Sequence, residues 1–244
     1  MAQDGAAGRW TRLASLPVPR FLGPAAVAFN RKVYVIGGMR RQGDVYPPSN
    51  HVHEYDPTSD QWTEKASMPT ARSDLAVVSA GAAIYAIGGN EANDGGKGSR
   101  RVERYDAAAN EWSSVAEMPT PRCRMAAMFY HGRILAIGGS QGSVAVEEYD
   151  VAEDRWRRRA NLPSAIRTPF GAVAADRIVV IGGTRNSKED YSLVHLYDAA
   201  ADSWRDLSPM PLARTDVAVA AVDERIFVFG GWIPGGLTPR IPGL

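Results

Sequence analysis

The chain has one cysteine, Cys123, so no intramolecular disulfide can form. It has almost no net charge: 28 Lys and Arg against 27 Asp and Glu leave a formal +1, without the basic footprint that nucleic acid requires. No apolar run approaches the roughly 18 residues that span a bilayer as a helix. The opening Met-Ala-Gln-Asp-Gly-Ala-Ala-Gly lacks the basic and apolar regions of a secretory signal. Together these absences set the expectation of a cytoplasmic protein that engages neither membrane nor nucleic acid. Histidine is also scarce, with four in all. His51 and His53 lie two apart and share a strand face, but the equivalents of His53 in other units are Glu103, Glu147 and His195. That pattern marks an ordinary repeat position, and no metal or other cofactor is expected. The cluster from Arg155 to Arg159, with Trp156 inside it, reads as a solvated face.

Glycine is plentiful, with 24 residues, and apolar residues make up 45% of the chain. Five Gly-Gly pairs end apolar runs, at Gly37-Gly38, Gly88-Gly89, Gly138-Gly139, Gly182-Gly183 and Gly230-Gly231. Their spacings of 51, 50, 44 and 48 residues mark a repeat architecture. After each of the first four pairs comes Tyr-Asp, at Tyr55-Asp56, Tyr105-Asp106, Tyr149-Asp150 and Tyr197-Asp198. A tryptophan follows seven residues after the tyrosine (Trp62, Trp112, Trp156, Trp204). Next come Met68-Pro69, Met118-Pro119, Leu162-Pro163 and Met210-Pro211. A further copy of this last segment, Trp10 to Leu16-Pro17, opens the chain. Arginine stands three residues past the proline at Arg20, Arg72, Arg122 and Arg214, and Ile166 takes that place in the fourth unit.

Each unit divides into four short strands. The first is rich in small residues, as in Ala25-Ala26-Val27-Ala28. The second is an unbroken β-branched and aromatic run into Gly-Gly, as in Ile178-Val179-Val180-Ile181, which requires cover on both faces. The third ends in Tyr-Asp, the fourth contains the tryptophan, and turn-forming residues separate them. Four-stranded sheets set radially about an axis satisfy all of this: each middle strand lies between neighbouring blades. Glycine lets the backbone leave the second strand where a Cβ would meet the next blade. Buried tryptophans, each covering about 200 Å², would cement blade to blade. The expected fold is an all-β propeller.

The recurring Arg…Gly-Gly…Tyr-Asp…Trp…Met-Pro set resembles the kelch repeat over residues 9–231. The resemblance implies a single kelch β-propeller domain over residues 1–244, with repeats near 20–69, 70–119, 120–163, 164–211 and 212–231 plus 9–16. The fifth unit departs from the pattern because it has no Tyr-Asp strand. Three prolines and three glycines in the last thirteen residues disfavour a regular central strand there. The favoured arrangement is a ring of five blades whose incomplete last blade is closed by the N-terminal strand around Trp10. A shortened six-bladed propeller is the alternative, and an open edge would invite self-association.

In kelch domains the residues just after the repeated arginine point toward the channel mouth. Here they differ from unit to unit: Phe21-Leu22, Ser73-Asp74, Cys123-Arg124, Arg167-Thr168 and Thr215-Asp216. Residues just after Gly-Gly (Asn90, Ser140, Thr184 and Trp232) should rim the same opening. Such a pocket could grip carboxylate, amide or hydroxyl groups, with arginine supplying forked donors. Equally, Asp74 and Asp216 could neutralise Arg124 and Arg167 around a water-filled channel. Cys123 reads as an inert lining residue. Gly96-Lys97-Gly98-Ser99 is not a phosphate loop, and Asn93-Asp94-Gly95 lacks the ligands of a calcium loop. No Gly-x-Ser-x-Gly elbow is present.

The resemblance implies a non-catalytic binding module that recognises a protein segment, or a small polar or anionic ligand, at the channel mouth. Kelch adaptors carry a separate domain before the propeller, and only nine residues precede Trp10, so no such domain is expected here. A cofactor-free sugar-binding or sugar-isomerising enzyme, using Asp74 or Asp216, is a second reading. A truncated six-bladed propeller with a scaffolding role alone is a third.

Overall fold

The computed structural model of the chain describes residues 11–91, 97–139, 142–184 and 192–233. The described residues form eighteen antiparallel strands and no helix. The first sheet contains β1 (Ala25–Phe29), β2 (Lys32–Ile36), β3 (Val52–Asp56) and β4 (Gln61–Lys65). The second contains β5 (Ala76–Ala80), β6 (Ala83–Ile87), β7 (Val102–Asp106) and β8 (Glu111–Ser114). The third is built from β9 (Ala126–Tyr130), β10 (Arg133–Ile137), β11 (Val146–Asp150) and β12 (Arg155–Arg158). The fourth is built from β13 (Phe170–Ala174), β14 (Arg177–Ile181), β15 (Val194–Asp198) and β16 (Ser203–Asp206). A fifth sheet has only β17 (Ala218–Val222) and β18 (Arg225–Phe229). Within each complete sheet the strands follow chain order from inner to outer edge.

The inner strands stand side by side, β1 on β5, β5 on β9, β9 on β13 and β13 on β17, and all five line one channel. This is a β-propeller. Apolar layers fill the space between successive sheets. Ile84 and Ala86 look back to the first sheet beside Tyr34, Ile36 and Val52, while Tyr85 and Ile87 look forward to Ile134 and Ala136. A strand serving two interfaces has no polar side, which explains the unbroken apolar runs.

The first glycine of each pair makes this radial packing possible. A Cβ on Gly88 would lie 2.4 Å from the Arg122 carbonyl oxygen of the next blade, and one on Gly37 would lie 2.5 Å from that of Arg72. The residues also have φ of +58° and +65°, which L side chains rarely adopt. Gly230, at φ +63°, has nothing within 4 Å. Among the described residues no further blade stands beyond it.

The tryptophans hold the blades together by a different device from simple burial. They are half-buried, whereas the tyrosines Tyr105, Tyr149 and Tyr197 are buried. Each indole Nε1 donates to one backbone carbonyl of the preceding blade: Trp112 to Ala66, Trp156 to Ala116 and Trp204 to Ala160, all at 2.8 Å. The N–H of each of these alanines donates in turn to Asn110, Asp154 or Asp202. The same side chains accept the tyrosine hydroxyls of Tyr105, Tyr149 and Tyr197. One alanine is therefore clasped at both its N–H and its carbonyl. Asp60 and Trp62 clasp Ala14 in the same way. Residues 11–20 thus lie where the end of a preceding blade's outer strand belongs, although they form no strand themselves. Trp10 and the tail 234–244 lie outside the described residues. Among the described strands, β17 and β1 do not adjoin as consecutive inner strands do elsewhere.

Candidate functional site

The repeated arginine explains the pattern of acidic and histidine residues on the third strands. Arg72 is fully buried and donates to Glu103 at 2.7 Å and to the carbonyls of Gly88 and Ala86. Arg122 does the same with Glu147 at 2.6 Å and with Ala136, Gly138 and Ala145. Burial pushes both guanidinium pKa values below the ordinary arginine range, while the carboxylates act to raise them. In the first blade Arg20 meets His53 at 3.2 Å. In the fourth, Ile166 is buried and the facing residue is His195. Arg72 and Arg122 pair with glutamate, Arg20 faces a histidine in its place, and in the fourth blade arginine and glutamate are both absent. His51 is engaged by Glu64 and Arg40. Among the described residues no cluster of three or more His, Cys, Asp or Glu could hold a metal.

After the arginine the chain turns into the inner strand through one left-handed residue per unit. Asp74, Arg124, Thr168 and Asp216 have φ between +47° and +53°. In the first unit Gly23 occupies this place at φ +65°, because the segment is one residue longer. Leu22 is therefore displaced by one from the expected register. The five residues edge a cavity of about 830 Å³ at one end of the channel. Its lining mixes this polar ring with apolar residues one step further on, including Pro24, Leu75, Met125, Pro169 and Val217.

The expected site residues separate into three groups. Asp74, Arg124, Thr168 and Asp216 line the cavity. Ser73, Cys123 and Thr215 are buried behind it, so Cys123 is not a lining residue. Ser73, Arg167 and Thr215 form backbone bridges with Asn90, Thr184 and Trp232, which knit each post-arginine segment to the residue after Gly-Gly. Side-chain direction decides the division: the residue before the left-handed turn faces the bridge, and the turn residue faces the channel. Arg167 is solvent-exposed outside the cavity wall. Ser140 lies outside the described residues.

The electrostatics of the ring are uneven. The Asp74 carboxylate is 8% exposed, receives Arg124 Nε at 3.2 Å and accepts the Asn90 amide at 3.1 Å. Asp74 and Arg124 thus neutralise each other, one of the two arrangements expected for these charges. Arg124 remains 47% exposed, with its outer edge toward the opening. Among the described residues neither Arg167 nor Asp216 is ion-paired. The opening also has an apolar rim, in which Phe21, Leu22 and Trp232 were expected at the mouth and Val45 and Tyr46 were not. Phe21, Leu22, Val45 and Trp232 are exposed, and Phe21 packs on Tyr46 with ring centroids 4.3 Å apart. Phe21 and Trp232 sit at opposite ends of the arc of blades. The signal for Tyr46 and Val45 was only the length of the 39–50 loop.

Comparison with known proteins agrees with this architecture. The family model "KLHDC2/KLHL20/DRC7 Kelch-repeats domain" matches residues 23–231. Beta-scruin of Limulus polyphemus is 36% identical over 88 residues, which is 36% of this chain and 9% of that protein. Kelch repeat and BTB domain-containing protein 12 of Homo sapiens is 34% identical over 85 residues, 33% of this chain and 14% of that protein. Kelch-like ECH-associated protein 1B of Danio rerio is 35% identical over 83 residues, 34% of this chain and 14% of that protein. The matched stretch spans no more than about a seventh of these relatives' own length. The solved structure titled "Structure of YjhT" superposes with a TM-score of 0.81 at 18% identity, covering 96% of this chain and 83% of that one. At that identity the likeness speaks to the fold alone.

Proposed function

Because the chain belongs to the kelch-repeat family, we propose that it is a non-catalytic binding module whose channel mouth grips a segment of another protein. One observation carries this reading: polar residues from different units converge on an open cavity of about 830 Å³ with an apolar floor and a rim of exposed aromatics. Exposed apolar groups bordering a polar concavity mark interaction surfaces. Phe21 and Trp232 supply anchors with few rotatable bonds, and Arg124 presents its free edge to a carboxylate or backbone carbonyl. The kelch relatives support a protein partner over a small ligand. A sugar-isomerising reading would need a carboxylate free to exchange a proton. Asp74 is committed to Arg124 and Asn90, which leaves Asp216 as the mouth carboxylate for that role.

The test is affinity capture from source lysate with the wild type and an Arg124→Glu/Arg167→Glu variant. Both side chains are exposed, so the variant should fold, with a melting temperature lowered by the lost counter-charge of Asp74, while losing the captured protein. A variant that retains the same partner would move the site away from the mouth.

A further inference from the structure

The outer edge of the third blade is far more basic than the other outer edges among the described residues. It is formed by β12, which pairs there with β11 alone. The strand reads Arg155-Trp156-Arg157-Arg158, and Arg159 follows it. The corresponding strands are close to neutral: Gln61-Trp62-Thr63-Glu64-Lys65 in the first blade, Glu111-Trp112-Ser113-Ser114 in the second and Ser203-Trp204-Arg205-Asp206 in the fourth. The carboxylates of the third blade leave this charge standing. Glu148 is held by Arg159 at 2.8 Å, Asp150 by Arg133 and Glu147 by Arg122. Asp154 accepts the Tyr149 hydroxyl and the Ala116 N–H. Glu153 lies 3.9 Å from Arg155 with both side chains more than half exposed, so that pair is worth little. Arg157 and Arg158 are exposed and have no carboxylate partner among the described residues. Charges do guard sheet edges against pairing, but β8 carries only Glu111, and three arginines in four residues go well beyond that.

The direction of the groups on β12 narrows what could meet them. The Arg159 N–H donates to the Val146 carbonyl at 2.9 Å. By the alternation of an antiparallel ladder, Arg155 and Arg157 also turn their peptide groups inward, while Trp156 and Arg158 turn theirs to the free edge. Arg155 and Arg157, opposite Asp150 and Glu148, stand about 7 Å apart on the face toward the fourth blade. Trp156 and Arg158 stand on the other face, where the indole reaches Ala116 of the second blade. Bare peptide groups in the plane of the sheet are therefore flanked by cations above and below. A membrane surface or a nucleic-acid backbone would meet one of these faces, whereas a strand laid in the plane meets both.

We propose that the β12 edge takes an extended acidic segment of a partner protein as an added antiparallel strand, with the pattern Glu-Glu-x-Glu. In that register the three carboxylates stand opposite Arg158, Arg157 and Arg155, and x stands opposite Trp156. Main-chain bonds to Trp156 and Arg158 supply the affinity that any bare edge offers, and opposite charges across the strands supply the selection. The site lies on the outer rim of the third blade, away from the channel mouth, and does not rest on recognition there.

The probe is a labelled peptide with blocked termini, Thr-Glu-Glu-Val-Glu-Thr, titrated into the whole protein at low and at physiological salt. Binding is followed by fluorescence anisotropy and by hydrogen exchange. Salt-sensitive binding with new protection at the amides of Trp156 and Arg158 is expected. The same peptide with glutamine for all three glutamates tests charge selection on the unaltered protein and should bind at least tenfold more weakly. Arg157→Ser with Arg158→Ser copies the residues of β8, so the melting temperature should hold while affinity falls at least tenfold. The Arg124→Glu/Arg167→Glu variant should bind the peptide as the wild type does. No binding, equal binding of the glutamine peptide, equal binding by the serine variant, or loss of binding in the mouth variant would each overturn the proposal. Tighter binding of phosphatidylserine vesicles or of oligothymidylate through the same arginines would also overturn it, by assigning the patch to another polyanion.

Discussion

Replacing Glu147 by Gln in the third blade removes the only negative charge that, among the described residues, touches the guanidinium of Arg122, at a point where both side chains are at most 1% exposed. Breaking a buried pair by removing one partner costs about 3–5 kcal/mol, because an uncompensated charge stays buried. The fourth blade offers a natural control, with Ile166 and His195 in the same two places. Grafting that pair, Arg122→Ile with Glu147→His, removes both charges and the desolvation penalty with them. What remains is the loss of the Arg122 bonds to three carbonyls, which the fourth blade lacks too. At about 0.5–1.5 kcal/mol net per bond, partly recovered by apolar burial, the graft should cost about 1–2 kcal/mol. Urea unfolding monitored by tryptophan fluorescence, with the slope m unchanged, separates the two outcomes. At roughly 2–4 °C per kcal/mol for a domain of this size, Glu147→Gln should melt about 10 °C below the wild type. A graft that is less stable than Glu147→Gln would refute the view that arginine and glutamate act as one exchangeable unit.

Other consequences can be checked on single variants. Gly88→Ala places a methyl against the Arg122 carbonyl and should cost roughly 3 kcal/mol or more; Gly230→Ala meets nothing and should cost about 1–2 kcal/mol from its left-handed backbone alone, read by the same unfolding assay. Trp112→Phe keeps the ring against Tyr105 but loses the bond to Ala66, a change of about 1 kcal/mol. Trp112→Ala should lose about 2–3 kcal/mol, less than for a fully buried aromatic because the ring is half-exposed. Burial, and then the charge of Arg20, hold the His53 imidazole below its usual 6.5. The unfolded chain therefore binds the extra proton first, and stability should fall as pH drops below about 6.5. His53→Gln should flatten that slope in melting temperatures measured from pH 7 to 5.

Much of the fold was legible because the repeat supplies four or five copies of each constraint. Gly37, Gly88 and Gly138 meet the next blade as the steric argument required, and the apolar second strands have both faces covered. Inter-blade clasping was only half legible. The tryptophan was evident, but Asp60, Asn110, Asp154 and Asp202 looked like ordinary turn residues, since their partners are backbone atoms some forty residues away. At the mouth, residue type marked Asp74, Arg124, Thr168 and Asp216. Whether each side chain faced the channel depended on a left-handed φ that sequence does not display, so Ser73, Cys123 and Thr215 were placed in the opening although they lie behind it. Phe21 and Trp232 were legible as mouth positions from the repeat, but the packing of Phe21 on Tyr46 was not, because the two belong to different loops that meet only in three dimensions.

The most direct test of recognition at the mouth is site-specific photo-crosslinking in source lysate, with the crosslinker placed either at Thr168 in the cavity or at Ser113 on the exposed outer strand. The account predicts a discrete crosslinked protein from position 168 and none from position 113. Equal products from both positions, or a product from 113 alone, would contradict it.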